Sequence, residues 1–137
     1  MRLLARREHS CKELTYKLSQ RGFLPADIAL TLSALIESKA LSHERFAHSY
    51  VYARVSKGLG PVRIANELRE RGIADALILA ALNEYRHDWL THARRVDAKR
   101  YGHLSPQNKL EQNKRQQFLV YRGFDPDDIK KIWESYE

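Results

Sequence analysis

The chain has 137 residues, enough for one ordinary domain or a few very small ones, and its 43% apolar content excludes a disordered composition. Its single cysteine excludes an intrachain disulfide, and its net charge of +7 indicates a polyanion or an acidic protein surface as partner. The N-terminus has no signal-peptide pattern and no apolar run approaches the ~20 residues of a membrane span, so we expect a soluble cytoplasmic protein with no membrane partner.

The first predicted unit covers residues 1–41. A short helix is expected over residues 2–8. Ser10 and Glu13 have the spacing of a capping box, which predicts the start of a second helix. The Arg21-Gly22-Phe23 segment ends that helix, and a third helix follows, so the unit is predicted to contain three helices.

The second predicted unit covers residues 42–85. An amphipathic pattern predicts a helix over residues 43–57, and Gly60-Pro61 predicts the start of the next one. The Arg71-Gly72 pair ends this second helix. Asp75 is the predicted N-cap of the third helix.

The third predicted unit covers residues 86–137. Its first helix is expected over residues 86–101, and Ser105-Pro106 is the predicted start of its second helix. Arg122-Gly123 ends that helix, and Asp125-Pro126 has the N-cap and first-turn residues of a third. The unit therefore repeats the order seen in the first two.

The three units repeat one pattern around an Arg-Gly pair, with glycines 50 and then 51 residues apart. Each glycine has leucine four residues before it, on the helix that it ends, and isoleucine six residues after it. A second apolar residue follows ten residues after the glycine, so these two lie on one face of the next helix. Glycine suits the left-handed residue after a helix, and a cation suits its last turn. The predicted structural repeat marks are Arg21, Gly22, Arg71, Gly72, Arg122 and Gly123. The predicted fold is all-α, with three tandem three-helix units in an elongated modular array and no sheet.

Two basic clusters are the candidate binding residues. One surrounds the glycine turn after residue 57, and the other lies within residues 94–115, which hold seven basic and two acidic side chains. Tyr52 and Tyr101 lie beside them, a combination that suits phosphate neutralisation and stacking. The alternative interpretation is a solvated helix face with tyrosines in the core. The candidates are Arg54, Lys57, Arg63, Arg94, Arg95, Lys99, Arg100, Lys114 and Arg115.

Other motifs do not indicate catalysis. The "GLGP" segment follows a helix and lacks the remaining residues of a nucleotide-binding loop, although amides of the next helix could hold one phosphate. The histidine pairs are five residues apart, which places neither pair on one helix face for a metal ion. Cys11, near a helix N-terminus where a thiolate is favoured, has no evident general base. We therefore expect no catalytic residue, no metal and no cofactor.

Three segments together resemble the RecX family of regulatory proteins, over nearly the whole chain. The first is "LARREHSCKELTYKLSQRGF". The second is "LSHERFAHSYVYARVSKGLGPVRIANELRERGI", with Arg45-Phe46-Ala47 and the Gly-x-Gly-Pro-x-x-Ile turn at residues 58–64. The third is "KRYG" followed by "KRQQFLVYRGFDPDDIKKIWE". Their order and spacing are those of the family.

The resemblance implies tandem three-helix repeats, a cytoplasmic location and no enzymatic activity. It also implies binding to the RecA recombinase within the groove of its DNA filament, and suppression of recombinase and co-protease activities in DNA repair, recombination and SOS control. Single- or double-stranded DNA within that filament is the second expected partner, and we expect a monomer. A stand-alone DNA-binding protein of the helix-turn-helix kind is the main alternative, and a structural adaptor is another.

Overall fold

The computed structural model describes residues 9–37 and 41–136, and all of its regular elements there are α-helices. The prediction of an all-α fold without a sheet is confirmed for these residues. The expected helix over residues 2–8 lies outside them. The helices in chain order are α1 (Cys11–Gln20), α2 (Pro25–Glu37), α3 (His43–Ser56), α4 (Pro61–Glu70), α5 (Asp75–Asn83), α6 (Trp89–Tyr101), α7 (Lys109–Arg122) and α8 (Pro126–Glu134). We assign α1 and α2 to unit 1, α3 to α5 to unit 2, and α6 to α8 to unit 3.

The three repeat glycines follow helices in the left-handed conformation, as predicted. Their φ angles are +88° at Gly22, +81° at Gly72 and +99° at Gly123. In each unit the residue after the glycine donates its N–H to the carbonyl of the leucine that lies four residues before the glycine. This bond closes a Schellman motif. These bonds run from Phe23 to Leu18, from Ile73 to Leu68 and from Phe124 to Leu119, each 3.1 Å long. The leucine at this spacing thus contributes both its carbonyl and a buried side chain.

Several predicted helix starts are confirmed. The Ser10 side chain accepts from the Glu13 N–H, and the Glu13 carboxylate accepts from the Ser10 N–H, so the capping box is complete. Helix α4 begins with Gly60 as N-cap and Pro61 as its first residue. Helix α8 begins after Asp125, whose side chain accepts from the Asp127 N–H.

Other predicted starts are wrong by a few residues. Ala74, not Asp75, is the N-cap of α5, because Asp75 already has the helical conformation. Helix α7 begins after Asn108 and not at Ser105-Pro106, because the Asn108 side chain accepts from the Glu111 N–H at 2.8 Å. Helix α6 begins at Trp89, since residues 84–88 form turns.

Units 2 and 3 share one hydrophobic core. The shared core contains residues from all six of their helices, including Phe46, Ile64, Phe124 and both tryptophans of the chain, Trp89 and Trp133. Unit 1 has its own small core instead, made of Leu14, Leu18, Ile28 and Leu41. Units 2 and 3 therefore pack as one body, whereas unit 1 is joined to it mainly through polar contacts.

Backbone hydrogen bonds join units 2 and 3 in addition to their shared core. The carbonyls of Arg122 and Gly123 accept from the N–H groups of Gly60 and Val62, both at 2.9 Å. These are amides at the start of α4 that have no partner within the helix. The turn at the end of α7 therefore acts as the cap of α4, in place of the side-chain cap that Gly60 cannot provide.

The joint between units 1 and 2 uses equivalent positions but mostly side chains. The Lys12 ammonium donates to the Glu70 carbonyl at 2.7 Å, and the Arg71 guanidinium lies 3.7 Å from the Glu13 carboxylate. As between units 2 and 3, an Arg-Gly turn contacts the first turn of a helix in the preceding unit. Here the turn is Arg71-Gly72 of unit 2 and the helix is α1. A further bond joins the Cys11 N–H to Nε2 of His43 at 2.9 Å.

The bond to His43 predicts a pH-dependent joint. Nε2 accepts only in the unprotonated ring, and burial lowers the pKa of His43 from its ordinary 6.5. The contribution of this hydrogen bond to the free energy of unfolding is therefore fully present above pH 6.5 and is lost as the pH falls below that value. We expect the wild type to lose about 1 kcal/mol more than His43→Gln between pH 7.5 and 5.5, because the glutamine oxygen accepts without titrating. Urea unfolding followed by circular dichroism measures the difference, and equal losses in both proteins would contradict the assignment.

Candidate functional site

A basic cleft lies where units 2 and 3 meet, with a volume of about 330 Å³. Its walls are the end of α3, one face of α6 and the last two turns of α7. Five of its side chains are cationic, and none of the residues that line it is acidic. The lining residues are Ser56, Lys57, Gly58, Arg95, Val96, Lys99, Arg100, Phe118 and Arg122. We call this the basic cleft.

Helix ends bring these cations together. Lys57 is the C-cap of α3, Lys99 and Arg100 lie in the last turn of α6, and Arg122 is the last residue of α7. Each cation thus lies at the negative end of a helix dipole, which favours it there. Arg95 is four residues before Lys99 and so shares its helix face. The sequence can place so much positive charge in one cleft because three helix termini stabilise it.

Phe118 orients two of the guanidinium groups. The guanidinium carbon of Arg100 lies 4.7 Å from the centre of the Phe118 ring, and that of Arg122 lies 5.5 Å from it. These are cation–π distances. Arg122 also donates to the Lys57 carbonyl at 3.4 Å. Two forked donors are therefore held at the wall of the cleft without a carboxylate partner among the residues that the structure describes.

Arg95 has a neutral partner. Its Nη2 lies 2.8 Å from Nδ1 of His92. Burial, together with the nearby Arg95 charge, lowers the pKa of His92. The ring is therefore neutral at physiological pH, and its Nδ1 accepts a hydrogen bond from Arg95. The contact fixes the guanidinium without cancelling its charge. The arrangement as a whole can bind an anion with several charge-assisted hydrogen bonds.

Four of the nine candidates from sequence meet in this cleft: Lys57, Arg95, Lys99 and Arg100. Arg94 and Lys114 are exposed but lie outside its lining.

Arg54 and Arg63 have a different environment. Both pair with Glu67, Arg54 through two bonds of 2.9 Å and Arg63 at 3.4 Å. The Tyr50 hydroxyl also donates to Glu67 at 2.8 Å, and burial and this bond raise the pKa of Tyr50 to about 12. Although burial opposes it, these hydrogen bonds lower the pKa of Glu67, which stays ionised. One carboxylate thus compensates one of the two arginine charges, and this group strengthens the packing of α3 on α4.

The assignment of Arg115 to the binding surface is wrong. Its side chain is fully buried, and Nε and Nη2 donate to the two carboxylate oxygens of Asp97 at 3.1 and 2.5 Å. Nη1 donates to the Leu104 carbonyl at 2.9 Å. The hydrogen bonds that Arg115 donates to Asp97 raise the pKa of Arg115. A cation that is enclosed and paired in this way cannot reach a polyanion.

Arg122 and Phe118 are not among the residues predicted to bind, yet they supply the fifth cation of the cleft and the ring that orients two guanidinium groups. The sequence predicts only a capping role for Arg122, whereas its backbone builds the joint and its side chain lines the cleft. The available signal was the spacing of four residues between Phe118 and Arg122, which places both on one helix face.

Two alternative sites can also be judged. The amides at the start of α4 are bonded to the carbonyls of the α7 turn, so the "GLGP" segment does not present them to a phosphate. Burial raises the pKa of the Cys11 thiol, which opposes the effect of the helix N-terminus. Within residues 9–37 and 41–136, no three metal-binding side chains are grouped to hold an ion. No helix in these ranges is long and apolar enough to cross a membrane.

Comparisons with known proteins agree with the resemblance. The family descriptions that match are the first three-helix domain of RecX over residues 1–35, the second over residues 42–82 and the third over residues 88–133. Regulatory protein RecX of Halorhodospira halophila is 45% identical over 130 residues, 95% of this chain and 81% of the relative. That of Legionella pneumophila is 37% identical over 138 residues, 98% and 90% of the two chains. The crystal structure of RecX from Lactobacillus salivarius superposes with a TM-score of 0.83 at 26% identity, covering 98% of this chain and 90% of that one.

Proposed function

This chain belongs to the RecX family of regulatory proteins, and from that membership we propose that it binds the filament of the RecA recombinase on DNA and lowers its activity. The role is regulatory and not catalytic, and it is exerted in the cytoplasm. The observation that carries the proposal is the basic cleft, where five cations of two units converge without a carboxylate in the lining. Such a surface binds a polyanion through charge neutralisation.

The proposed mechanism is geometric. Units 2 and 3 share a core, so the cleft between them is a rigid feature that can hold phosphates of the filament's DNA. Unit 1 extends from this body through a polar joint and can reach a neighbouring surface of the filament. A protein held at both places obstructs the exchange of DNA strands and the addition of recombinase subunits. The sequence-independent nature of phosphate contacts suits a regulator that acts wherever a filament forms.

Activity assays test this proposal. RecA ATPase and strand exchange are measured on single-stranded DNA with rising amounts of the wild-type protein. We expect both activities to fall at or below one regulator for each recombinase subunit. Unchanged activities together with tight binding to a particular free duplex would instead support the stand-alone DNA-binding alternative.

The cleft itself is tested by the salt dependence of filament binding. We expect the triple variant Arg95→Gln, Lys99→Gln, Arg100→Gln to bind more weakly and to lower the slope of log affinity against log salt, by about one for each lost phosphate contact. The matched control removes three exposed cations outside the cleft: Lys109→Gln, Lys130→Gln, Lys131→Gln. Anisotropy titrations between 50 and 200 mM salt measure both. Equal slopes for the two triple variants would exclude the cleft as the contact.

A further inference from the structure

Both joints within the chain use the same two elements, although backbone hydrogen bonds dominate the joint between units 2 and 3 and side-chain contacts dominate the joint between units 1 and 2. The Arg-Gly turn of one unit lies on the first turn of the second helix of the unit before it. A Cβ placed on Gly123 would meet Cβ of Arg63 at 2.3 Å, and one placed on Gly72 would meet Cβ of Lys12 at 3.4 Å. Lys12 is the second residue of α1 and Arg63 the third of α4, so the two contacts involve neighbouring positions of equivalent turns. The structure thus contains a repeated way of joining an Arg-Gly turn to a helix N-terminus.

The Arg-Gly turn of unit 1, residues 21–23, contacts no helix N-terminus within the described residues. A Cβ on Gly22 would meet nothing within 4 Å. Phe23 is 49% exposed, whereas the equivalent Phe124 and Ile73 are 1% and 4% exposed. Leu24 beside it is also exposed. The carbonyls of Arg21 and Gly22 accept no backbone hydrogen bond from residues 9–37 or 41–136, unlike those of Arg122 and Gly123.

A second copy of this chain does not offer an equivalent helix N-terminus for this turn to bind. In unit 3 the equivalent turn, residues 111–114, lies inside α7, which begins earlier at Lys109. Its amides are already bonded, since the N–H groups of Glu111 and Gln112 donate to Asn108. Lys114 also occupies the position of Glu13, so a second copy would lack the carboxylate that pairs with the arginine of the turn in the joint between units 1 and 2.

We infer that the Arg21–Phe23 turn docks on the start of a helix in a different protein, one with a small N-cap residue and an acidic residue in its first turn. The carbonyls of Arg21 and Gly22 accept from the first amides of that helix, as those of Arg122 and Gly123 do at α4. The acidic residue pairs with Arg21, and Phe23 becomes buried in the contact. The inference rests on the proposed function, in which this partner is the recombinase subunit of the filament.

The test compares turn variants with matched controls in filament binding. Arg21→Glu with Phe23→Ser changes the turn, and Lys109→Glu with Leu79→Ser changes an exposed cation and an exposed apolar side chain elsewhere. Binding of each labelled protein to preformed recombinase filaments is titrated at one salt concentration. We expect the turn variant to lose about tenfold or more in affinity and the control variant to bind like the wild type. Arg21→Glu alone is expected to lose affinity as well, because it then faces an acidic residue.

The free proteins are measured in parallel by thermal unfolding and by light scattering. Arg21→Glu alone is expected to lower the midpoint slightly, because it places an acidic side chain at the C-terminus of α1. The inference requires that adding Phe23→Ser lowers the midpoint no further and that the wild type and the turn variant are both monomers. A further lowering would mean that the chain's own residues cover Phe23, and a dimer formed by the wild type alone would mean that a second copy does; either result overturns the inference. Equal filament binding by all variants also overturns it but leaves the proposed function intact. Absence of filament binding by the wild type would instead refute the proposed function.

Discussion

Replacing Asp97 with alanine is expected to lower the free energy of unfolding by about 3–5 kcal/mol, because it leaves the enclosed Arg115 cation without its carboxylate. Both side chains are almost inaccessible to solvent, at 1% exposure each. The guanidinium also lies 5.4 Å from the Tyr101 ring and 5.3 Å from the Trp133 ring, neither of which can replace a counter-ion. The Glu111 carboxylate lies 3.6 Å from Nη1, but it is 36% exposed and too distant for a hydrogen bond, so it compensates for the loss of Asp97 only in part. Denaturant unfolding followed by tryptophan fluorescence measures the loss, since both tryptophans lie in the shared core.

A double variant separates the charge from the packing. Asp97→Leu with Arg115→Met removes both charges and retains apolar volume, so it is expected to be clearly more stable than Asp97→Ala. This comparison tests whether the pair is a source of stability or a requirement that arises once one charge is buried. If the single variant is as stable as the double variant, the guanidinium is not enclosed as described.

Replacing Gly123 with alanine is expected to cost about 3 kcal/mol or more. Two effects add: the left-handed φ of +99° is unfavourable for alanine, and its Cβ would lie 2.3 Å from Cβ of Arg63. The contact is at a backbone joint, so relief requires the two units to separate and two hydrogen bonds to lengthen. The same fluorescence measurement applies.

Gly22→Ala is the matched control for this prediction. Its φ of +88° imposes a similar conformational cost, but its Cβ would meet nothing within 4 Å. The loss at Gly22 therefore measures the conformational cost alone, about 1–2 kcal/mol, and the excess at Gly123 measures the joint. Gly60→Ala is expected to show the complementary effect, since its φ of −95° suits alanine while its Cβ would lie 2.4 Å from the Gly123 carbonyl. Equal losses at Gly22 and Gly123 would mean that the joint tolerates a methyl group.

The joint also explains how stability and binding are related in this protein. The Arg122 carbonyl caps α4, and its guanidinium lines the basic cleft. A residue that marks the end of a repeat thus serves both the contact between units and the binding surface. A substitution of Arg122 leaves its carbonyl in place but removes the bond from its guanidinium to the Lys57 carbonyl, which also joins units 2 and 3. The cleft is therefore better tested at Arg95, Lys99 and Arg100.

Sequence reasoning identified most of the fold because its signals are local. The Arg-Gly turns, the capping box of Ser10 and Glu13 and the Asp125 cap depend on residues within one or two helical turns of each other, so their chemistry can be read from spacing. The errors were local as well. Asn108 replaced Ser105 as the cap because its side chain, and not the proline two residues before it, satisfies the first amides of α7.

The candidate site depends more on the tertiary structure than the helices do. The amino-acid sequence by itself determined the all-α class, the three repeats, the family and the presence of an excess of basic residues. Only the tertiary structure decided which of those cations act together, because Arg115 and Lys114 are adjacent in sequence but one is enclosed against Asp97 and the other is exposed. It also decided why Gly60 and Gly123 are glycines, since the reason is the approach of two backbones from different units. Charge and helix signals belong to the sequence, whereas burial and distance between units arise only when the chain packs.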